Sequence, residues 1–138
     1  MKEEVWHNDV NLHILSHNKM LINFYILGCL NNDKWFATGL YGHPTHDKKY
    51  LTSDTIMQLY NSRLNDKYIL FGDFNMYLNS YEKLGGKHVD YNLCNKFQYS
   101  LNQGGLNDLG YHGNKYTWAN KQEIEHHIKE RVDIFCAN

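Results

Sequence analysis

The chain has 138 residues, of which 42% are hydrophobic, and its formal net charge is −1 at pH 7. This length is that of one domain at most, and the apolar content suffices for a core. A dedicated nucleic-acid binder usually carries a basic excess, which this chain lacks. No apolar run is long enough to cross a membrane, and residues 1–6 lack the apolar region of a signal peptide. We therefore expect an intracellular protein.

The first two predicted elements form a β-hairpin. Residues 10–16 alternate between apolar and polar side chains, a pattern typical of a half-buried strand. The apolar positions on one face are Val10, Leu12 and Ile14. Residues 21–27 predict a second, mostly apolar strand, and the polar pair Asn18-Lys19 between the two runs indicates a hairpin turn.

A central strand and a helix are predicted next. Residues 35–41 predict a strand that is buried on both faces, and Pro44 excludes a helix directly after it. Either Ser53 or Asp54 can cap the following helix. The apolar positions of that helix recur at helical spacing, at Ile56, Tyr60 and Leu64.

The second half of the chain continues the alternation of strands and helices. Residues 68–71 predict a short apolar strand, and a helix begins near Asp90 and ends at the glycine pair 104–105. The apolar stripe of this helix consists of Leu93, Phe97 and Leu101. Short strands are predicted at 116–118 and 131–135. Because strands and helices interleave, the sequence predicts an α/β fold.

The best candidate for a functional site follows the strand at 68–71. Gly72 leads into Asp73 and Asn75, whose spacing on an extended backbone would point both side chains to one face. A carboxylate can hold and deprotonate a water molecule, and a carboxamide can donate hydrogen bonds to an anion. The same residues also suit an Asx turn at a strand end, so this pattern alone leaves a structural role open.

Several blocks of sequence occur in an order that resembles a known superfamily. In addition to Gly-Asp-Phe-Asn at 72–75, the blocks are WFATGLYGHP at 35–44, YEKLGG at 81–86, GLNDLG at 105–110, GNKYTWAN at 113–120 and ERVDIFCAN at 130–138. In this order they closely resemble the endonuclease/exonuclease/phosphatase superfamily. Within it, they are most similar to the apurinic-like endonuclease domain of plant LINE-type (non-LTR) retrotransposons.

The resemblance implies a fold and assigns roles to four residues. For this chain the implied fold is a partial four-layer α-β-β-α sandwich of the deoxyribonuclease-I-like type, in which two β-sheets pack face to face between outer helices. Asp73 matches the aspartate that positions and activates the attacking water, and Asn75 matches the asparagine that holds the scissile phosphate. Tyr41, which would also suit the rim of the core, matches a tyrosine that hydrogen-bonds the phosphate. Asp133 matches the aspartate that orients a catalytic histidine.

Structural roles compete with functional ones at three of the matched positions. Asp133 also suits an ion pair with Arg131 or Lys129. Trp118 and Phe135 match positions near the DNA-facing rim of the family, and core packing explains both of them equally well.

Glu82 and the cysteines are predicted to have structural roles. For Glu82 we predict a salt bridge with Lys83 or a cap, rather than metal ligation. The three cysteines are odd in number and widely spaced, so we predict buried thiols rather than a disulfide frame or a zinc site. They are Cys29, Cys94 and Cys136.

Any affinity for DNA has to come from a local basic cluster, because the net charge is close to zero. The best candidates for such a cluster are Lys34, Lys48 and Lys49, and a solvated surface is the structural alternative for all three.

The resemblance also implies that residues 1–138 are a partial domain, truncated at both ends. In the family, a magnesium-binding glutamate lies upstream of the matched region, and a catalytic histidine in a Ser-Asp-His run lies downstream of it. We therefore expect weak or absent Mg²⁺ binding by this chain. We also expect little activity, since loss of a general base costs roughly a hundredfold to ten-thousandfold and loss of the metal adds to that cost.

The sequence thus predicts a truncated, nearly inactive copy of a magnesium-dependent endonuclease that nicks DNA in retrotransposition. DNA is the expected partner and the nucleus the expected location, with no membrane association, and the oligomeric state stays open. One alternative is a phosphatase of the same superfamily that acts on phospholipids or inositol phosphates, although the blocks at 81–86 and 113–120 favour the retroelement branch. The other is a non-catalytic remnant of the fold.

Overall fold

The computed structural model describes residues 10–28, 31–63 and 65–138, which form nine strands and two α-helices. The strands are β1 (Asn11–His17), β2 (Leu21–Leu27), β3 (Lys34–Tyr41), β4 (Tyr68–Asp73), β5 (Lys83–Leu84), β6 (Asn107–Asp108), β7 (Trp118–Ala119), β8 (Lys129–Glu130) and β9 (Asp133–Ala137). The helices are α1 (Lys49–Asn61) and α2 (Tyr91–Gln103). Neither of these helices has the length and apolar character needed to cross a membrane.

Six strands form one mixed sheet in the order β1-β2-β3-β4-β9-β6. β3 and β4 run parallel, and the other neighbouring pairs in this sheet are antiparallel. β5, β8 and β7 form a second, small antiparallel sheet. β3, the strand predicted to be central, does lie in the middle of the large sheet, next to β4. The predicted α/β class is confirmed.

Both helices pack on one face of the large sheet. The strand register places alternate residues of β3, β4 and β9 on this face. Among them, Leu40, Leu70 and Ile134 join Ile56 of α1 and Phe97 of α2 in a single buried core. Ile56, Leu70, Phe97 and Ile134 are fully buried, so this interface between sheet and helices supplies much of the apolar burial that stabilises the fold.

The opposite face of the large sheet is also apolar but more open to solvent. Three phenylalanines cross it side by side. Phe71 stacks on Phe135 with ring centroids 5.2 Å apart, and it meets Phe24 edge-on at 6.2 Å. The Phe135 side chain is 53% exposed. We call this surface the open face of the sheet.

The first helix begins earlier than predicted. α1 starts at Lys49, directly after a 3-10 turn at His46–Lys48, and the prediction of a cap at Ser53 or Asp54 is wrong. The turn already directs the chain into the helix, so Ser53 becomes a buried position within α1. Asp54 instead forms an ion pair of 2.8 Å with Lys96 of α2.

The second helix has the predicted ends. Asp90 caps α2, because its Oδ1 accepts a hydrogen bond from the backbone N–H of Leu93 at 3.1 Å, and Gly104 follows the last helical residue. In α1, Ile56 is buried as its spacing predicted. Leu64 lies outside the described residues.

β1 is not the half-buried strand that its alternation predicted. All seven of its residues are exposed, with Leu12 at 43% and Ile14 at 58% exposure, and Val10 precedes the strand. β1 is an edge strand, whereas the helices pack over the middle of the sheet. Alternation identifies the two faces of a strand, but it does not show whether another layer covers either of them.

The last predicted strands are displaced along the chain. The strand expected at 116–118 is β7 at Trp118–Ala119, and the strand expected at 131–135 is β9 at Asp133–Ala137. Arg131 and Val132 lie between β8 and β9, where the chain passes from the small sheet to the large one. Both residues are buried, and the Arg131 side chain bonds to the acidic side chains of Glu82 and Asp108.

Candidate functional site

Tyr41, Asp73 and Asp133 lie in one row across the large sheet. Tyr41 pairs with Asp73 across the parallel strands β3 and β4, and Asp73 pairs with Asp133 across the antiparallel strands β4 and β9. Neighbouring strands are about 4.8 Å apart, so the row is roughly 10 Å long and its side chains belong to one face. Three of the four predicted site residues are therefore brought together, at the edge of the open face.

Asn75 reaches this row through a turn and not along the strand. β4 ends at Asp73, and Asn75 has a φ of 52°, in the left-handed region. Its backbone N–H donates to Asp73 Oδ1 at 2.9 Å, and its side-chain Nδ2 donates to the carbonyl oxygen of Gly42 at 2.8 Å. The structural alternative, an Asx turn, is thus present. The side-chain bond to Gly42 also holds Asn75 against the loop that follows Tyr41.

Two glycines allow the loops after β3 and β4 to pack closely. A Cβ atom at Gly42 would collide with the carbonyl group of Phe74, and one at Gly72 would collide with the carbonyl oxygen of Leu40. Gly72 also has a φ of 141°, which favours glycine. The Gly42 N–H donates to the carbonyl oxygen of Asp73 at 2.7 Å. The row is therefore held by backbone contacts that larger residues would prevent.

The environment of Asp73 raises the pKa of its carboxyl group. Burial is the largest cause, and the negative charge of Asp133 acts in the same direction. The hydrogen bond from the Asn75 N–H and the positive charge of Lys49 oppose the shift without cancelling it. A carboxylate with a raised pKa at the end of a strand is a candidate proton acceptor.

Lys49 is a site residue that sequence reasoning placed only in a general basic cluster. It is the first residue of α1 and is partly buried, and this burial lowers the pKa of its ammonium group, partly offset by Glu130 and Asp73. The other two candidates for the basic cluster differ from Lys49. Lys48 is exposed, and Lys34 lies at the far end of β3 from Tyr41, with its Nζ 4.2 Å from the ring centroid of Tyr25.

A cavity of about 620 Å³ lies beside the loop that follows Asp73. Its basic lining consists of His46, Lys49, Lys83, Lys87 and His88. The two carboxylates in the wall are already engaged, since Glu130 pairs with Lys83 at 2.6 Å and Asp90 with His46 at 3.3 Å. Counting lysines and carboxylates alone, three positive charges face two negative ones, so the cavity is weakly electropositive and suits an anionic group.

No protein-family model matches the sequence, and no curated protein matches it. Among solved structures, the endonuclease domain of TRAS1, a telomere-specific non-LTR retrotransposon, matches with a TM-score of 0.73 and 16% identity, over 96% of this chain and 57% of that chain. The chain has a deoxyribonuclease-I-like fold. D. rerio TDP2 complexed with a single-strand DNA product matches with a TM-score of 0.54 and 10% identity, over 93% of this chain and 52% of that chain. The human Nocturnin catalytic domain with bound sulfate matches with a TM-score of 0.54 and 10% identity, over 91% and 48%.

The chain therefore spans about half the length of these structures, and at such identities the likeness is one of fold. Within this deoxyribonuclease-I-like fold, the row of Tyr41, Asp73 and Asp133 lies where β3 and β4 end and β9 begins, in the middle of the large sheet. The predicted catalytic roles of these residues stay predictions, because they depend on chemistry and not on the fold.

The row provides few ligands for a metal ion. Within residues 10–28, 31–63 and 65–138, no three His, Cys, Asp or Glu side chains converge to hold one. The row offers the carboxylates of Asp73 and Asp133 and the amide oxygen of Asn75. Mg²⁺ is often held by one or two carboxylates together with water and a substrate phosphate. The residues present therefore fit a weakly held Mg²⁺ that shares its coordination with a substrate.

Glu82 has a structural role, as predicted, but with a different partner. Its Oε2 accepts hydrogen bonds from the N–H groups of Leu78 at 2.7 Å and Asn79 at 3.1 Å, which caps the turn it belongs to. The expected salt bridge with Lys83 is not formed. Lys83 pairs with Glu130 instead, and Glu82 pairs with Arg131 at 2.7 Å.

Arg131 connects two acidic side chains from distant parts of the chain. Its guanidinium bonds to Glu82 at 2.7 Å and to both carboxylate oxygens of Asp108 at 2.7 Å. These bonds lower the pKa of Asp108 and leave no role for Arg131 as the partner of Asp133. The structural alternative for Asp133, an ion pair with Arg131, is therefore wrong. The pair with Lys129 is likewise not formed among the described residues.

Trp118 and Phe135 are not core residues. Their side chains are 45% and 53% exposed, and Trp118 lines the electropositive cavity. Cys94 and Cys136 are buried free thiols, as predicted, and burial raises the pKa of Cys136 to about 12. Cys29 lies outside the described residues.

Proposed function

We propose that this chain forms part of a site that hydrolyses phosphodiester bonds in DNA. The observation that carries the proposal is the row of Tyr41, Asp73 and Asp133, with Asn75 tied to it by two hydrogen bonds. Asp73 positions the attacking water and accepts its proton, for which a raised pKa is suited. Tyr41 and the second N–H of the Asn75 carboxamide donate hydrogen bonds to phosphate oxygens. Asp133 orients an imidazole that is contributed from outside the row.

The charges around the row support an anionic substrate. Two carboxylates alone would repel a phosphodiester, but Lys49 lies close enough to Asp73 to influence its pKa. Lys49 also lines the electropositive cavity, to which Lys83 and Lys87 contribute further cationic groups. A DNA strand would therefore meet positive charge beside the carboxylates that act on it.

By the same proposal, the reaction uses Mg²⁺, which would be held mainly through the substrate phosphate, because Asp73 and Asp133 are engaged with the water and the imidazole. The ion would supply charge stabilisation at the phosphoryl oxygens and acidify a bound water. A site without a dedicated carboxylate ligand holds Mg²⁺ weakly. We therefore expect this chain on its own to bind Mg²⁺ weakly and to nick DNA slowly.

We further propose that the reaction belongs to retrotransposition by a LINE-type element and takes place in the nucleus. The similarity of the fold to the TRAS1 domain, which belongs to a non-LTR retrotransposon, supports this assignment. The plant branch is proposed from the blocks at 81–86 and 113–120 of the sequence.

A comparison of two substrates tests the proposal against the phosphatase alternative. The chain is incubated in excess over supercoiled plasmid, and separately with a soluble inositol phosphate, both with Mg²⁺. We expect slow conversion of plasmid to the nicked form and no release of phosphate. Release of inorganic phosphate without nicking would favour the phosphatase. The absence of both reactions would favour the non-catalytic remnant.

A further inference from the structure

The hairpin between β1 and β2 borders the candidate site, and none of its residues lines the electropositive cavity. An open depression of about 500 Å³ lies between the hairpin and the row, and its lining includes His17, Lys19, Tyr41 and Asp73. The register places His17 opposite Ile22, and Ile22 opposite Gly39, so His17 and Tyr41 belong to the same sheet face. β1 and β3 are separated by one strand, a distance of about 10 Å.

The backbone of the hairpin is fixed relative to the site. Asn18 Oδ1 accepts hydrogen bonds from the N–H groups of Met20 at 2.7 Å and Leu21 at 3.0 Å, which closes the turn around Lys19. The carbonyl oxygen of Met20 accepts a hydrogen bond of 2.7 Å from the Tyr41 N–H. The backbone of Lys19 is thus connected to Tyr41 through Met20 alone. Only the Lys19 side chain has to become ordered when a ligand binds.

Lys19 is a cation available for an external partner. It is exposed, and none of the ion pairs among the described residues involves it. Lys83 of the cavity differs in this respect, since it is already paired with Glu130. An ammonium group on a fixed turn, in the same depression as Asp73, is placed to attract a polyanion toward the site and to hold it there.

We propose that Lys19, assisted by the His17 ring, binds a backbone phosphate of the DNA strand next to the phosphate held at Asp73 and Asn75. The inference rests on the proposed function and adds to it the side of the site on which the strand continues. Such a contact fixes the position of the strand without reading its sequence. The hairpin of β1 and β2 is then a DNA-binding element, although β1 contributes little to the core.

The test is the salt dependence of DNA binding by Lys19→Gln. Binding of the chain to a fluorescent 20-base-pair duplex is followed by anisotropy in EDTA, so that no cleavage occurs, across a series of salt concentrations. We expect the variant to bind about fivefold more weakly at 0.1 M salt. We also expect the plot of the logarithm of the association constant against the logarithm of salt concentration to become less steep by about 0.9. Lys19→Arg keeps the charge and should bind as the wild type does.

Lys96→Gln is the matched control, because it removes the same charge from α2, on the helix-covered face. If Lys19→Gln bound DNA with the affinity and slope of Lys96→Gln, the phosphate contact would be ruled out while DNA binding stood. If the wild type bound no duplex even at low salt, the proposed function in DNA hydrolysis would be ruled out, and the proposed Lys19 contact would be ruled out as well. Circular dichroism of each variant verifies that the fold is retained.

Discussion

Asp73 and Asp133 lie directly opposite each other across β4 and β9. Two carboxylates in this position repel each other, and together with burial the negative charge of Asp133 raises the pKa of Asp73. Nothing in the packing of the sheet requires two acids there, since the neighbouring pair in the same register, on the same face, is Phe71 with Phe135. The arrangement costs stability, as functional sites often do.

This cost predicts that Asp73→Asn stabilises the fold at neutral pH. The folded-state pKa of Asp73 lies above its ordinary value of 3.8, so ionisation is harder in the folded state than in the unfolded state. The wild type therefore loses stability as the pH rises from about 4 through the raised pKa. Asn lacks the charge, and its Oδ1 can still accept the hydrogen bond from the Asn75 N–H.

Thermal unfolding of wild type and Asp73→Asn between pH 3 and pH 8 measures the effect. We expect equal Tm values at pH 3 and a Tm higher by roughly 1–3 °C for the variant at pH 7, since a half-buried charge is partly screened. A variant that is less stable than the wild type at pH 7 would show that the Asp73 carboxylate serves the structure.

Arg131 is predicted to be one of the most important polar residues for stability. Its replacement in Arg131→Met leaves Glu82 buried without its charged partner and Asp108 without its guanidinium. Breaking a buried pair of this kind costs about 3–5 kcal/mol. Urea denaturation measures the loss, with Lys96→Met as the control. That variant breaks the exposed pair with Asp54 and should cost less than about 1 kcal/mol. Equal losses in the two variants would contradict this prediction.

The open face predicts that the chain is prone to aggregate. Phe135 is 53% exposed on this face and stacks on Phe71. Exposed apolar patches of this kind promote association, so Phe135→Ser should reduce light scattering of a concentrated solution on heating. Tyr99→Ser, at an equally exposed position on α2, should leave the scattering unchanged. A wild-type chain that stays monomeric and unfolds in one cooperative transition would argue against this account.

The sequence predicted the elements that depend on local patterns. The strand end at Tyr41 and the Asp90 cap of α2 follow from apolar runs, turns and capping residues, which are visible over a few residues. β4 continues two residues beyond its predicted end at residue 71. The start of α1 did not follow, because the 3-10 turn at His46–Lys48 substitutes for a polar cap. Lys49 consequently appeared as a surface lysine and not as a neighbour of Asp73.

Long-range features were less accessible from one sequence. Arg131 and Glu82 are 49 residues apart, and no periodicity or spacing connects them. The exposure of Leu12 and Ile14 depends on whether another layer covers the edge of the sheet, which alternation cannot tell. By contrast, the proximity of Asp133 to Asp73 came from the resemblance and agrees with the strand register.

The proposed function requires that the row of Tyr41, Asp73 and Asp133 acts on phosphodiester bonds. This is tested by Mg²⁺-dependent nicking of supercoiled plasmid by the chain in large excess, compared with Asp73→Ala and with Asp54→Ala, whose carboxylate lies on α1 away from the row. We expect slow nicking that Asp73→Ala reduces at least about a hundredfold and that Asp54→Ala leaves unchanged. Nicking at the same rate by wild type and Asp73→Ala, or no nicking by the wild type, would contradict the claim.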